Sequence, residues 1–257
     1  MRPRHILITG GAGAIGSALA AEFRRHHPRV AITLVDRDEL GLRGRANELS
    51  AAAEVCDLTD IPSLPTWWRA IAARRGDVDV LVNCAGVMEI LSVTATGWAR
   101  GLSLLEINLL APLRLMDLAL PAMIEAGRGC VINVASMAGR VPLRGCSYYG
   151  AAKAAIGLAS EVARLDVKER GVDVITVYPG PIYSGLERHA RGQVRRGLVS
   201  RWIPTGTPEA LARRVYAAFR TGDARVVGPR VYQLADQLAG LGLTRRVVGL
   251  LSPRPNE

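Results

Sequence analysis

The run Thr9-Gly10-Gly11-Ala12-Gly13-Ala14-Ile15-Gly16 limits the fold of this chain more than any other segment. It follows a short apolar segment at 5–9 and opens an amphipathic stretch at 15–26, so strand, glycine turn and helix come in immediate succession. Gly11, Gly13 and Gly16 form G-x-G-x-x-G, and Asp36 closes the next apolar segment 20 residues after Gly16. A glycine turn alone can merely join a strand to a helix. With an acidic residue at that distance it points to a bound dinucleotide: glycines let the backbone approach a pyrophosphate, which the open N–H groups and positive end of the helix attract.

Beyond the turn, short apolar runs alternate with longer amphipathic ones, the pattern of βαβ units and a parallel sheet. Strands are expected at 5–9, 31–36, 53–56, 78–82, 130–135, 172–177 and 224–227. Helices are expected near 15–26, 40–51, 64–74, 98–126, 148–169 and 208–220. Several strands are nearly all apolar, as strands covered on both faces must be. The expected fold is α/β: a Rossmann-type, doubly wound parallel sheet of about seven strands in three α/β/α layers, with its ligand crevice at the carboxyl ends of the strands. Length favours one dinucleotide-binding and catalytic domain over 1–257. Within it, 180–207 lacks clean periodicity and fits a mobile substrate loop or short helices. In the extension 231–251, Leu234, Leu238, Leu241, Val248 and Leu251 recur at helical spacing. That face fits packing on the domain or on a second subunit; the alternative is a membrane surface, with Arg245 and Arg246 at lipid phosphates.

The net charge of +10 invites an anionic partner, but only Lys153 and Lys168 are lysine and the arginines are spread from Arg2 to Arg254 without a block. We read it mainly as a bias towards arginine and expect no nucleic-acid partner. Cys56, Cys84, Cys130 and Cys146 are widely spaced with no C-x-x-C, so neither a metal site nor a disulfide framework is indicated, and a reducing, cytoplasmic setting fits. No uncharged apolar stretch reaches 18 residues, so no membrane span is expected.

Asp36 can accept hydrogen bonds from an adenosine ribose diol, whereas a 2′-phosphate there meets a like charge. At ~4 Å the repulsion runs from ~1 to ~4 kcal/mol, about tenfold discrimination or more. NAD is therefore preferred, with NADP as the alternative because Arg37 can neutralise Asp36 or cover a phosphate. In Tyr149-Gly150-Ala151-Ala152-Lys153 the phenol and ammonium lie four residues apart on one helix face, and Ser136 stands just after the fifth apolar strand. A phenol with pKa ≈ 10 is a poor acid–base near neutrality, so an ammonium that favours phenolate makes the pair a proton-transfer unit. The Ser136 hydroxyl can hold a substrate oxygen beside it.

Together these motifs resemble the short-chain dehydrogenase/reductase family, in its short single-domain branch, over roughly residues 5–230. Asn83-Cys84-Ala85-Gly86 is similar to the family's N-N-A-G, Asn108 to its helix asparagine, and Pro179-Gly180-Pro181-Ile182-Tyr183-Ser184 to its P-G-x-x-x-T segment. Ala14, Cys84 and Ser184 depart from that pattern without removing a reacting group. Gly10, Gly13 and Gly16 also spell the turn of the extended, epimerase-type branch, whose substrate domain needs a longer chain than this. The resemblance implies Tyr149 as acid/base, Ser136 orienting substrate, Lys153 on the nicotinamide ribose, and Asn108 either holding a relay water or purely structural. It further implies cofactor contacts from Gly10, Gly13, Ala14, Ile15, Gly16, Asp36, Arg37, Asp57, Leu58, Asn83, Ala85, Gly86, Pro179, Gly180, Ile182 and Ser184, with Asn83 bracing the central strands. A homodimer or homotetramer acting on a small alcohol or ketone is the implied form.

The expected activity is hydride transfer between NAD(P) and a secondary alcohol or ketone. A non-catalytic NAD-binding regulatory module, or a basic surface for an anionic partner, is the alternative. Met88, Met137, Val141, Leu143 and Cys146 suggest an apolar substrate wall or, equally, core. Arg144, Arg188, Arg191, Arg195 and Arg196 read as solvated charge or as contacts to an anionic substrate group.

Overall fold

The computed structural model describes residues 1–194, 204–239, 248–250, 252 and 255. Seven strands, β1 (His5–Thr9), β2 (Ala31–Asp36), β3 (Ala52–Val55), β4 (Val80–Asn83), β5 (Gly129–Val134), β6 (Val172–Pro179) and β7 (Arg225–Gly228), form one sheet. Its order is β3-β2-β1-β4-β5-β6-β7, and every neighbouring pair is parallel. The chain builds outwards from β1 in one direction and from β4 in the other, so a crevice opens above their carboxyl ends.

Alternation along the strands divides the core. Ile6 and Ile8 of β1 join Leu34, Val82 and Ile132 on one face, under α1 (Ala14–His26), α2 (Glu39–Glu48) and the helix Pro208–Thr221, here α8. Phe23 of α1 is fully buried and meets Phe219 and Tyr216 of α8 edge-on, with ring centroids 5.1 and 5.5 Å apart. Burying a side chain of that size contributes about 1.5–3 kcal/mol. Leu7, Leu81, Val131 and Val174 point to the other face, against α3 (Leu64–Arg75), α5 (Ala111–Glu125) and α6 (Ser147–Val167). This is the expected doubly wound α/β sandwich.

The departures from expectation are local. The helix expected at 98–126 is longer and interrupted: α4 (Val93–Leu105), a π-helical turn (Glu106–Leu110), then α5. The wider turn rotates α5 relative to α4, and such turns recur at functional sites. The run Val93–Glu125 has the length and apolarity of a membrane span. Here, however, its Leu104, Ala111, Leu115, Ala119 and Met123 are buried in the protein. Strand β4 starts at Val80 rather than 78, where the buried Asp79 carboxylate accepts from the Arg4 and His5 N–H groups. Strand β6 extends to Pro179 because β7 pairs with it there.

Within 180–207 the structure has helix α7 (Gly185–Gly192), whose open N-terminus the Ser184 hydroxyl caps by accepting from Glu187 N–H at 3.1 Å. In the C-terminal extension the leucine stripe is not packed on this chain's own domain where it is described. Helix α9 (Tyr232–Gln237) buries Asp236 and leaves Leu234 and Leu238 exposed. Asp236 wins because two guanidinium groups hold it, Arg140 Nε at 2.8 Å and Arg225 Nη1 at 2.9 Å. Leu241, Arg245, Arg246 and Leu251 lie outside the described residues, as do Arg195 and Arg196.

The two sheet halves are joined at the crevice by one hydroxyl. Thr9 Oγ1 donates to Val82 C=O at 3.3 Å and accepts from the N–H groups of Cys84 and Ala85 at 3.0 and 3.1 Å. Thr9→Val keeps the shape and strands these partners, so it should lower unfolding free energy by about 1–3 kcal/mol, with Thr9→Ser losing less. Chemical denaturation measures this; a Thr9→Val protein as stable as wild type contradicts the role.

Candidate active site

A cavity of about 1020 Å³ lies over the carboxyl ends of the strands. At one end is the glycine turn. Gly10 has φ +70°, and a side chain on it would press on Ala85 N at 2.9 Å, across the gap between β1 and β4. A Cβ on Gly16 would collide with the Gly10 carbonyl, so only a glycine lets α1 begin this close to the turn. The N-cap of α1 is Gly13, which brings no side chain to the helix's open N–H groups, and its first turn holds no acidic residue. A bare helix N-terminus lining a cavity fits a pyrophosphate.

Asp36 at the end of β2 is fixed by the backbone around it, accepting from Ala12 N–H at 3.1 Å and Asp38 N–H at 3.2 Å. Arg37, Arg45, Cys56, Asp57, Leu58 and Thr59 complete that end of the cavity. The N–H and hydroxyl of Thr59 both donate to Asp57 Oδ1, at 3.0 and 2.8 Å, and hold its carboxyl below the usual range.

The other end collects the expected reacting groups. Ser136 follows β5 and caps the next turn, accepting from Ala138 N–H at 3.1 Å. Tyr149 and Lys153 lie on the same buried face of α6. Lys153 Nζ donates to the Val134 carbonyl at 2.8 Å and sits 5.9 Å from the Tyr149 ring centroid. The π-helical turn buries Asn108, whose Nδ2 donates to Val87 and Leu104 carbonyls at 2.8 and 2.9 Å. Its Oδ1 is buried and has no partner among the described residues. A Cβ built on Gly86 would come 2.7 Å from that oxygen and 3.4 Å from Lys153 Nζ, so the missing side chain leaves a polar niche between the two.

Burial sets the proton affinities. It pushes the Tyr149 phenol up to about 12, with the Ser136 hydroxyl opposing, and the Lys153 ammonium down to about 8. The lowering of the phenol expected from Lys153 is not found: the ammonium is turned to a backbone carbonyl, and loss of water dominates.

The expected site residues Gly10, Gly13, Ala14, Ile15, Gly16, Asp36, Arg37, Asp57, Leu58, Ala85, Gly86, Asn108, Ser136, Tyr149, Lys153, Pro179, Gly180, Ile182 and Ser184 all line this one cavity. Asn83 does not. Strand alternation turns it into the protein, where its Nδ2 reaches Asn133 Oδ1 at 2.8 Å and Pro112 C=O at 3.3 Å. Asn133 continues to Ser160 Oγ at 2.8 Å, so Asn83 belongs to a polar tie between β4, β5 and α6. Sequence reasoning did not single out Arg45 on α2, Thr59 next to Leu58 or Tyr232 on α9, which also line the cavity.

The family model described as "short chain dehydrogenase" matches residues 4–194. Among curated proteins, the D-threitol dehydrogenase of Mycolicibacterium smegmatis is 31% identical over 226 residues, covering 85% of each chain. Among solved structures, a short-chain dehydrogenase from Streptomyces avermitilis superposes with TM-score 0.78 at 26% identity, covering 91% of this chain and 92% of that one. A metagenomic short-chain oxidoreductase in complex with NADP gives TM-score 0.71 at 26% identity, covering 87% and 96%.

A pH titration of tyrosinate absorbance, wild type minus Tyr149→Phe, should show no ionisation of this phenol from about pH 7 to about pH 10 in the dinucleotide-free protein. Burial raises its pKa, so tyrosinate forms only above the range of a free phenol. A component titrating near neutrality contradicts the dominance of burial.

Proposed function

This chain belongs to the short-chain dehydrogenase family of oxidoreductases, and from that premise we propose that it interconverts a secondary alcohol and a ketone with Tyr149 as the acid/base and NAD as the preferred cofactor. The observation that carries the reading is the convergence of Ser136, Tyr149 and Lys153 on the cavity that begins at the bare N-terminus of α1. When bound, the nicotinamide supplies the hydride acceptor or donor.

Ser136 Oγ, beside the phenol, holds the substrate oxygen so that Tyr149 shares a hydrogen bond with the same atom. In ketone reduction Tyr149 gives its proton to the oxygen as negative charge develops there; in alcohol oxidation it takes that proton. A phenol that burial keeps protonated is suited to the first role, and positive charge brought near it favours the second. Lys153 does not supply that charge in the dinucleotide-free protein, because its ammonium is turned to the Val134 carbonyl, beside the niche that Asn108 Oδ1 also borders. Tyr149 and Lys153 are both buried at the inner wall of the cavity.

The NAD preference rests on Asp36. Its carboxylate is held in place by two backbone N–H groups and lines the cavity where a ribose diol would lie. Arg37 and Arg45 line the same end and would favour a 2′-phosphate, the arrangement that NADP use would exploit. Exposed Trp98 on α4 and Leu158 and Leu165 on α6 support a homo-oligomer.

Tyr149→Phe should lose about 10²-fold or more of turnover, measured by dinucleotide reduction with a panel of secondary alcohols. Full turnover in that variant overturns the assignment. Asp36→Asn should raise kcat/KM with NADP relative to NAD by about tenfold, since one like charge is removed; an unchanged ratio contradicts the NAD preference.

A further inference from the structure

We propose that the substrate half of the cavity takes an apolar ring or chain bearing one carbinol or ketone, and rejects polyols. The proposal rests on the oxidoreductase reading above and names the substrate class of the same site.

Three segments wall the cavity beyond Ser136 and Tyr149, and each presents apolar side chains to it. Met88 and Ile90 come from the segment after β4, Leu143 and Cys146 from the segment before α6, and Ala190 and Val194 from α7 and its end. These six pack on one another as a separate apolar cluster, apart from the two main core layers. The walls are therefore built as a unit. Val248 lines the same cavity from the C-terminal end of the chain.

The polar groups that reach this half are already engaged within the protein. Glu187 and Arg191 form an ion pair, and Arg191 Nη2 also donates to Thr205 Oγ1 at 2.7 Å. Arg144 Nε donates to the Gly249 carbonyl at 3.1 Å, and its N–H to Ser252 Oγ at 2.9 Å. Tyr232 donates its hydroxyl to the Pro204 carbonyl at 3.0 Å. A substrate hydroxyl entering here loses water and faces walls that are mainly apolar, while the polar side chains beside them are turned to partners in the protein. Ser136 and Tyr149 are placed for the reacting oxygen, and Asn108 Oδ1 lies in the niche beside Lys153. A polyol therefore leaves its further hydroxyls unpaired, whereas an apolar ring gains contact on three sides.

This sets the site apart from what the name of the threitol-oxidising relative implies for that protein. Membership of one family does not fix the substrate; on this reading the walls decide what is oxidised.

The test is a matched series of cyclohexanol and a decalin alcohol against cyclohexane-1,2-diol and D-threitol, assayed with both NAD and NADP. The expected result is a kcat/KM for the monohydroxy rings about 10²-fold above that for threitol, with the diol between them. Leu143→Asn, which puts an amide into the wall, should narrow the gap by about tenfold. Equal or better turnover of threitol or the diol by wild type overturns the proposal while the oxidoreductase reading stands, and so does a ratio unchanged by Leu143→Asn. No turnover of any of these alcohols, nor of the corresponding ketones with reduced cofactor, overturns the oxidoreductase reading and the proposal with it.

Discussion

Everything the site does depends on the place where the sheet changes direction. β1 and β4 are neighbours in space but start the two outward-running halves, and the loops leaving them separate. The Thr9 hydroxyl, bonded to three backbone groups of β4 and its loop, holds the two strand ends in register while those loops diverge. With that spacing set, the backbone of the glycine turn comes close to Ala85, and α1 begins with its N–H groups facing the crevice. The cavity is thus a consequence of strand order, and its floor is backbone rather than side chain.

The chemistry at the other end is governed by desolvation. Tyr149 and Lys153 are both almost fully buried, and burial moves both towards their neutral forms, the phenol up and the ammonium down. A neutral phenol carries the proton that ketone reduction needs, but its raised pKa makes it a weaker acid than a free phenol until charge develops on the substrate oxygen. An ammonium near its own midpoint is sensitive to any charge placed beside it. The network behind Ser136 fixes the geometry in which this happens. Arg140, four residues beyond Ser136, is held by Asp236, which is shared with Arg225. Both guanidinium groups also approach the Tyr178 ring, with their carbons 5.5 and 4.8 Å from its centroid. Helix α9 is thereby fastened to the loop that carries Ser136.

Much of this was legible in the sequence where the determinants are local. The glycine turn, the acidic residue closing β2 and the tyrosine and lysine one helical turn apart are short-range patterns, and all reach the same cavity. What escaped depends on contacts between distant segments. The bracing role of Asn83 was anticipated but not its place off the cavity: it sits one residue before a cavity-lining cysteine, and only the pleat of β4 turns its amide to Asn133. Leu234 and Leu238 have the spacing of a buried stripe and are exposed on this single chain, while two arginines from other elements bury Asp236, which no local pattern foretells. The π-helical turn that orients Asn108 has no sequence signature of its own, and the phenol's raised pKa reflects burial by segments far apart in the chain.

For the proposed chemistry to run, one cavity must bring a substrate carbon and a nicotinamide together under Tyr149 and Ser136. Turnover of the best secondary alcohol carrying deuterium on its carbinol carbon tests this, with the cofactor product examined by NMR. Direct transfer within the cavity predicts that the deuterium is recovered on C4 of the reduced nicotinamide, on a single face of the ring, with none in the solvent. Deuterium released to water, or spread over both faces, would contradict it.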